Sequence, residues 1–265
     1  MLNLIQADLF KMRKSSAIKI LFGITTLCAI VMTVMAYLIP KGQISDEYIG
    51  MVFLISDIVM MGILGAVTAS VFICGDFENK TIHDAIASGC SRGTVIVSKA
   101  IVFFCGVGFI LLPYAIITGI ALSTGSKFEM GTVSMGFLNM LTKESGLVFS
   151  TSVLLKMLAA AFTLILVYMA QLSVCVPLAL MLKKPVLVVA IFYGFTIFCA
   201  NLTGLRNSSE TFDKIFSYTP YGGKYSFVTL STEAGDFVKA IAVSLFFIIV
   251  ILGVTYSVFR KSEIK

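Results

Sequence analysis

The sequence predicts an all-α membrane protein with six transmembrane helices and both termini in the cytoplasm. Three observations carry that prediction. Hydrophobic residues make up 58% of the chain, charged residues only 13%, and the mean hydropathy is +1.00, whereas a soluble domain is roughly 45–50% apolar. The apolar residues fall in runs of about twenty or more, the length that crosses a hydrocarbon core, not in short amphipathic repeats. The basic residues gather at the ends of these runs and favour alternate connections, as the positive-inside rule requires. No repeat, low-complexity tract or composition shift divides the chain, so residues 1–265 read as one membrane domain.

Taken in order, residues 1–16 form a polar and amphipathic lead-in, with Leu2, Ile5, Leu9 and Met12 on one helical face and Lys11, Arg13 and Lys14 near its end. That pattern fits an interfacial helix on the inner surface of the membrane. The apolar run behind it is too long for a signal-peptide core and lacks a small-residue cleavage site, so it is expected to remain as a span. The spans are expected at 17–39, 49–74, 94–122, 151–182, 186–204 and 237–259. The fourth is longer than a perpendicular crossing needs and contains Pro177, so it should tilt, kink or project. Two connections are too long for simple turns, 123–150 and 205–236, and both mix aromatic and aliphatic residues with polar ones. They are expected to cling to the outer surface as short amphipathic or re-entrant helices, the second ending near Pro220, Gly222 and Gly223.

Six spans put both ends on one side, and charge says which. Twelve of the twenty basic residues, among them Lys11, Arg13, Lys14, Arg92, Lys99, Lys183 and Lys184, fall on the side of the termini with only five acidic residues. The other side carries eight basic residues and about as many acidic ones. The chain is therefore expected to be multi-pass in a cell membrane. Its net charge of +6 follows from topology, and no continuous basic patch suggests nucleic acid. The six cysteines do not sit where disulfides would help, no CxxC pair occurs, and a single histidine leaves almost nothing for a structural metal.

The most informative stretch is the connection between spans two and three. From Asp76 to Arg92 it reads as a short, well-stopped helix, with Asp76 placed to cap it, Glu78 in the first turn and Gly89 able to take the left-handed stop. Phe77, Ile82, Ala85 and Ile86 give it a small apolar face suited to docking in a groove. Glu78, Lys80, Thr81, Ile82, Ser91, Arg92, Ser98 and Lys99 resemble the first cytoplasmic loop of bacterial ABC-2-type export permeases, a glutamate and Lys-Thr-hydrophobic step leading to Ser-Arg and then Ser-Lys. Gly89 stands where that family often has proline. The order of parts is similar along the whole chain, including the aromatic-Pro step at Tyr218–Tyr221 before the last span.

The resemblance implies that 76–92 is a coupling helix touching an ABC ATPase subunit through Asp76, Phe77, Glu78, Lys80, Thr81, Ile82, His83, Ile86 and Arg92. It implies a permease that moves an amphipathic or hydrophobic solute, such as an antimicrobial peptide, a lipid-like molecule or a drug, outward across a bacterial cytoplasmic membrane by alternating access. It also implies pairing with a second copy or a related permease. The chain has no phosphate-cradling Gly-x-x-x-x-Gly-Lys-Ser/Thr stretch, so it is not expected to be an enzyme or to bind a cofactor; ATP and magnesium belong to the partner subunit. A non-transporting immunity or sensor component for a peptide is the alternative. A secondary transporter is less favoured, because no inverted repeat is visible and Asp57 is the only carboxylate inside a span. Asp57, Gln171 and Asn201 are the in-span polar residues that the substrate pathway would use, although helix-to-helix hydrogen bonding explains the two amides as well. Small residues at Gly62, Ala66, Ala69 and Ser70 in span two, and at Ala190 and Gly194 in span five, favour close helix packing.

Overall fold

A chain this apolar satisfies its backbone polar groups within helices, and the computed structural model is mostly helical over its described residues, 2–130, 134–146, 150–204, 210–222 and 224–261, with no strand among them. Six of its helical stretches are long and apolar enough to cross a membrane: Ser16–Lys41, Ile49–Glu78, Arg92–Ser123, Thr151–Leu182, Pro185–Leu202 and Ala234–Arg260. They match the six expected windows. Gly223, Glu263, Lys265 and parts of both long connections (131–133, 147–149 and 205–209) lie outside the described residues.

Helix α1 (Leu2–Lys14) precedes the first span, whose main helix is α2 (Ser16–Leu38). Span two is built from α3 (Ile49–Leu54), α4 (Asp57–Ala69), one π-helical turn at Ser70–Cys74, and α5 (Gly75–Glu78). The wide turn brings Ser70 to span five, where its hydroxyl donates to the Pro185 carbonyl at 3.1 Å. A short helix, α6 (Thr81–Ala87), leads to the long third span, α7 (Arg92–Ser123). Spans two and three are the most buried, and spans five and six the least.

Span four is interrupted as Pro177 leads one to expect. Helix α9 (Thr151–Leu172) gives way to α10 (Cys175–Leu182) around Ser173 and Val174. Proline has no N–H to offer the carbonyl four residues earlier, which is that of Ser173. The Val176 amide bonds that carbonyl instead at 3.0 Å, a tighter turn that opens the helix. Span five is α11 (Pro185–Gly204) and span six is α13 (Ala234–Lys261).

The long connections do not share one fate. Between spans three and four, α8 (Gly136–Lys143) buries Gly136 through Leu141 among spans one to four. It packs inside the bundle instead of lying on its surface, the buried alternative among the short helices expected here. Before span six, α12 (Glu210–Phe216) stays largely exposed, but the chain after it turns inward, and Tyr225, Val228 and Leu230 are buried. A membrane interior explains the difference: backbone outside a span is tolerated at depth only where protein covers it.

Candidate functional site

Two sets of buried polar side chains organise opposite ends of the bundle. The first lies where α1, span two and span three meet. Lys99 is almost wholly buried on α7 and donates to both oxygens of Asp8 on α1 at 2.7 Å and to Asp76 on α5 at 2.5 Å. Lys11 on α1 reaches the other Asp76 oxygen and is half-exposed. Two cations face two carboxylates, so the cluster is neutral although Asp76 and Lys99 have left water. Close approach of α1 to α7 is possible because Gly106 carries no side chain; a Cβ there would stand 3.2 Å from the Met12 sulfur and 3.3 Å from Thr68. Leu4, Ile5, Leu9 and Met12 turn partly toward the bundle, whereas Leu2 and Phe10 remain exposed.

The segment from Asp76 to Arg92 hangs from this cluster. It is not one helix: span two runs on unbroken through Glu78, so Asp76 has no helix start to cap, and its carboxylate serves the ion pairs instead. The helix breaks at Asn79 and Lys80, the latter left-handed at φ 57°, and resumes as α6. Its end is as expected. Gly89 takes φ 93°, its amide bonds the Ile86 carbonyl and that of Cys90 bonds Ala85, both at 3.0 Å, the paired bonds of a Schellman stop. Ser91 then starts span three by accepting the Thr94 amide at 3.2 Å.

The expected contact residues divide into two groups. Phe77 and Ile82 are buried, and His83 packs edge-on against Phe77 with ring centres 6.3 Å apart. Lys183, at the end of span four, stands 5.1 Å over the Phe77 ring. Arg92 donates to the carbonyls of Phe259 at 3.0 Å and Arg260 at 2.8 Å, neutralising the C-terminal end of span six. These side chains hold the segment onto spans three, four and six. Glu78, Lys80, Thr81 and Asp84 are exposed, and Ile86 is half-buried beside them. Helix α1, the end of α13 and this segment therefore occupy one end of the bundle.

The second set surrounds Asp57, which is fully buried. Its Oδ2 accepts the Phe137 amide at the start of α8 at 3.0 Å and the Tyr168 hydroxyl from span four. A helix N-terminus is a favourable place for a carboxylate. Gly136 makes it reachable: its φ is 63°, and a Cβ there would fall 2.0 Å from Asp57 Oδ2 and 2.2 Å from the Tyr168 oxygen. One turn beyond Tyr168, the Gln171 amide donates to the Pro220 carbonyl at 2.9 Å, and the Tyr221 hydroxyl donates to the Gln171 carbonyl at 2.5 Å. Burial holds the Tyr221 phenol well above its usual value, so it stays a donor through the physiological range. Glu144 accepts the Leu230 amide at 2.9 Å, and Asn139 donates to the Phe227 carbonyl at 3.3 Å, joining the two long connections.

Asp57 and Gln171 thus anchor re-entrant backbone, one at each connection. Asn201 is not brought to them: it is exposed, and its amide donates to the Ile197 carbonyl of its own helix at 2.9 Å. Sequence reasoning missed Asp8, Tyr168, Gly136 and Glu144 as parts of these clusters. Lys99 stood out through the family motif and Lys11 near a helix end, and both as basic residues on the side of the termini, not as partners of buried carboxylates.

Two measurements follow from these geometries. Lys99→Met leaves Asp8 and Asp76 competing for the half-exposed Lys11, and thermal unfolding in detergent should show a loss of about 3–5 kcal/mol; Lys11→Met should lose no more than about 1 kcal/mol. Equal effects would contradict the placement of Lys99. Gly136→Ala forces a side chain into left-handed backbone against a carboxylate, so the same assay should show a loss of at least about 2 kcal/mol, whereas Gly125→Ala, also left-handed but with open space around it, should lose only about 1–2 kcal/mol.

No known protein-family profile matches this sequence, and comparison with curated proteins finds no match.

Proposed function

We propose that this chain is the membrane-spanning permease subunit of an ABC-2-type exporter, inserted in a bacterial cytoplasmic membrane with both termini inside and powered by a separate ATPase subunit. One observation carries the reading: the segment 76–92 combines an exposed ridge, Glu78, Lys80, Thr81 and Asp84, with anchors that reach several spans. Phe77 and Ile82 are packed inside, Asp76 pairs with Lys99 on span three, and Arg92 grips the end of span six. A push on the ridge is transmitted to those spans, because no flexible linker separates them from it. A solvated loop would need none of these anchors.

In this reading the contact is made by Glu78, Lys80, Thr81, Asp84 and Ile86, while Asp76, Phe77, Ile82, His83 and Arg92 position them. ATP and magnesium act on the partner, whose closure rocks this chain and a second permease between inward-open and outward-open states. The solute is amphipathic or hydrophobic, since the bundle offers it apolar surface and few free charges. Asp57 and Gln171 support the outer part of the pathway by holding its backbone.

The test is co-purification of the tagged chain in mild detergent, with ATP hydrolysis measured on the complex. An ATPase subunit of the nucleotide-binding class should co-purify, and Glu78→Ala should release it or lower coupled hydrolysis several-fold while leaving thermal stability within about 0.5 kcal/mol, as for an exposed side chain. A chain that purifies alone under conditions preserving such complexes contradicts the proposal.

A further inference from the structure

Beside the polar clusters lies a cavity of about 360 Å³ between spans two, four and five, roofed by Met135, Tyr221 and Ser226 from the long connections. This volume falls in the range of small-ligand sites. Among the described residues, its walls carry no Asp, Glu, Lys, Arg or His. The polar side chains that do line it are largely engaged elsewhere: Tyr168 with Asp57, Gln171 with Pro220, Tyr221 with the Gln171 carbonyl, and Thr196 with the Tyr193 carbonyl at 2.7 Å. What remains for an occupant is mainly the apolar surface of Phe53, Met61, Leu172, Phe192 and Ile197.

A groove shares one of the cavity's walls. Tyr193 also lines an open groove of about 540 Å³ between spans two and five, which runs toward Pro185 and Ser70 at the end that holds the termini. From Pro185 to Ala200 the helix rises about 22 Å, most of the hydrocarbon thickness of about 30 Å. At Gly62 on span two a Cβ would meet nothing within 4 Å, so the cavity has open space there. Space lined by apolar groups and left empty forgoes dispersion contacts on all its walls, so a hydrocarbon occupant is favoured over a void, and the lining gives water little to bond.

We infer that the cavity and its groove hold one hydrocarbon chain of a neutral, lipid-like molecule that enters sideways from the bilayer. A helix of a second copy, about 10 Å across, is too thick for the enclosed part, whereas an extended chain is not. Among the described residues, the ionised headgroup of an anionic lipid finds no charged partner on these walls. The inference stands apart from the transport proposal, since it concerns occupancy of this chain alone, whatever powers it.

The experiment uses the purified full chain in vesicles of phosphatidylethanolamine and phosphatidylglycerol, labelled with a long-chain alcohol bearing a mid-chain diazirine and mapped by peptide mass spectrometry. Saturable labelling, competed by unlabelled hexadecanol, is expected on Phe192–Ala200 and around Phe53 to Gly62. Gly62→Phe and Thr196→Phe, which fill the cavity from different spans, should each reduce it several-fold. Labelling of Phe246 and Ile249, exposed on span six, should be non-saturable and unchanged. Non-saturable labelling of the cavity in the wild-type chain overturns the inference, as does wild-type labelling in both variants. Loss of cavity labelling whenever the chain dimerises, with recovery on dilution, also overturns it by making a second copy the occupant.

Discussion

A carboxylate inside an apolar bundle must find its donors in the protein, and Oδ2 of Asp57 finds them in the amide of Phe137 and the hydroxyl of Tyr168. That contact fixes where α8 can lie. With α8 held among spans one to four, Asn139 and Glu144 are positioned to receive the second connection, and Gln171 secures that connection again at Pro220. The roof of the cavity is assembled from these bonds, so the shape of the far end traces back to one buried charge. Without that carboxylate the helix N-terminus it satisfies would need another partner.

The opposite end obeys the same rule with different means. Lys99 is nearly as buried as Asp57, yet it meets two carboxylates, and the neutral four-residue cluster binds α1 and the 76–92 segment to one another. Arg92 extends the connection to span six through backbone carbonyls that a helix end leaves open. In the proposed reading, this ion-paired end receives force and the apolar cavity farther along the bundle handles the solute.

The spans were legible in the sequence because each depends on local composition over about twenty residues, which a window reads directly. Gly89 was legible for the same reason: a helix stop is a property of a few neighbouring residues. Pro177 also announced its break. The charged clusters were hidden, since Lys99 and Asp8 are 91 positions apart and Asp57 and Tyr168 are 111 apart, and nothing in either neighbourhood names the other. Asp76 misled as a cap because Asp before a polar helix usually is one; here span two continues through it. The apolar residues of 123–150 were visible, but whether they meet lipid headgroups or other helices depends on the buried partner 80 positions away at Asp57. Asn201 shows the converse error, a polar residue at the right depth that faces its own helix and solvent-accessible surface.

The account stands or falls on what the exposed ridge after span two touches. A photoreactive benzophenone side chain placed at position 84 in intact cells measures this directly, because Asp84 is exposed on α6. The account predicts a single dominant crosslink to a nucleotide-binding ATPase subunit, absent when the same group is placed at position 246 on the exposed face of span six. Crosslinks from position 84 only to lipid, to this chain itself or to no protein would contradict it.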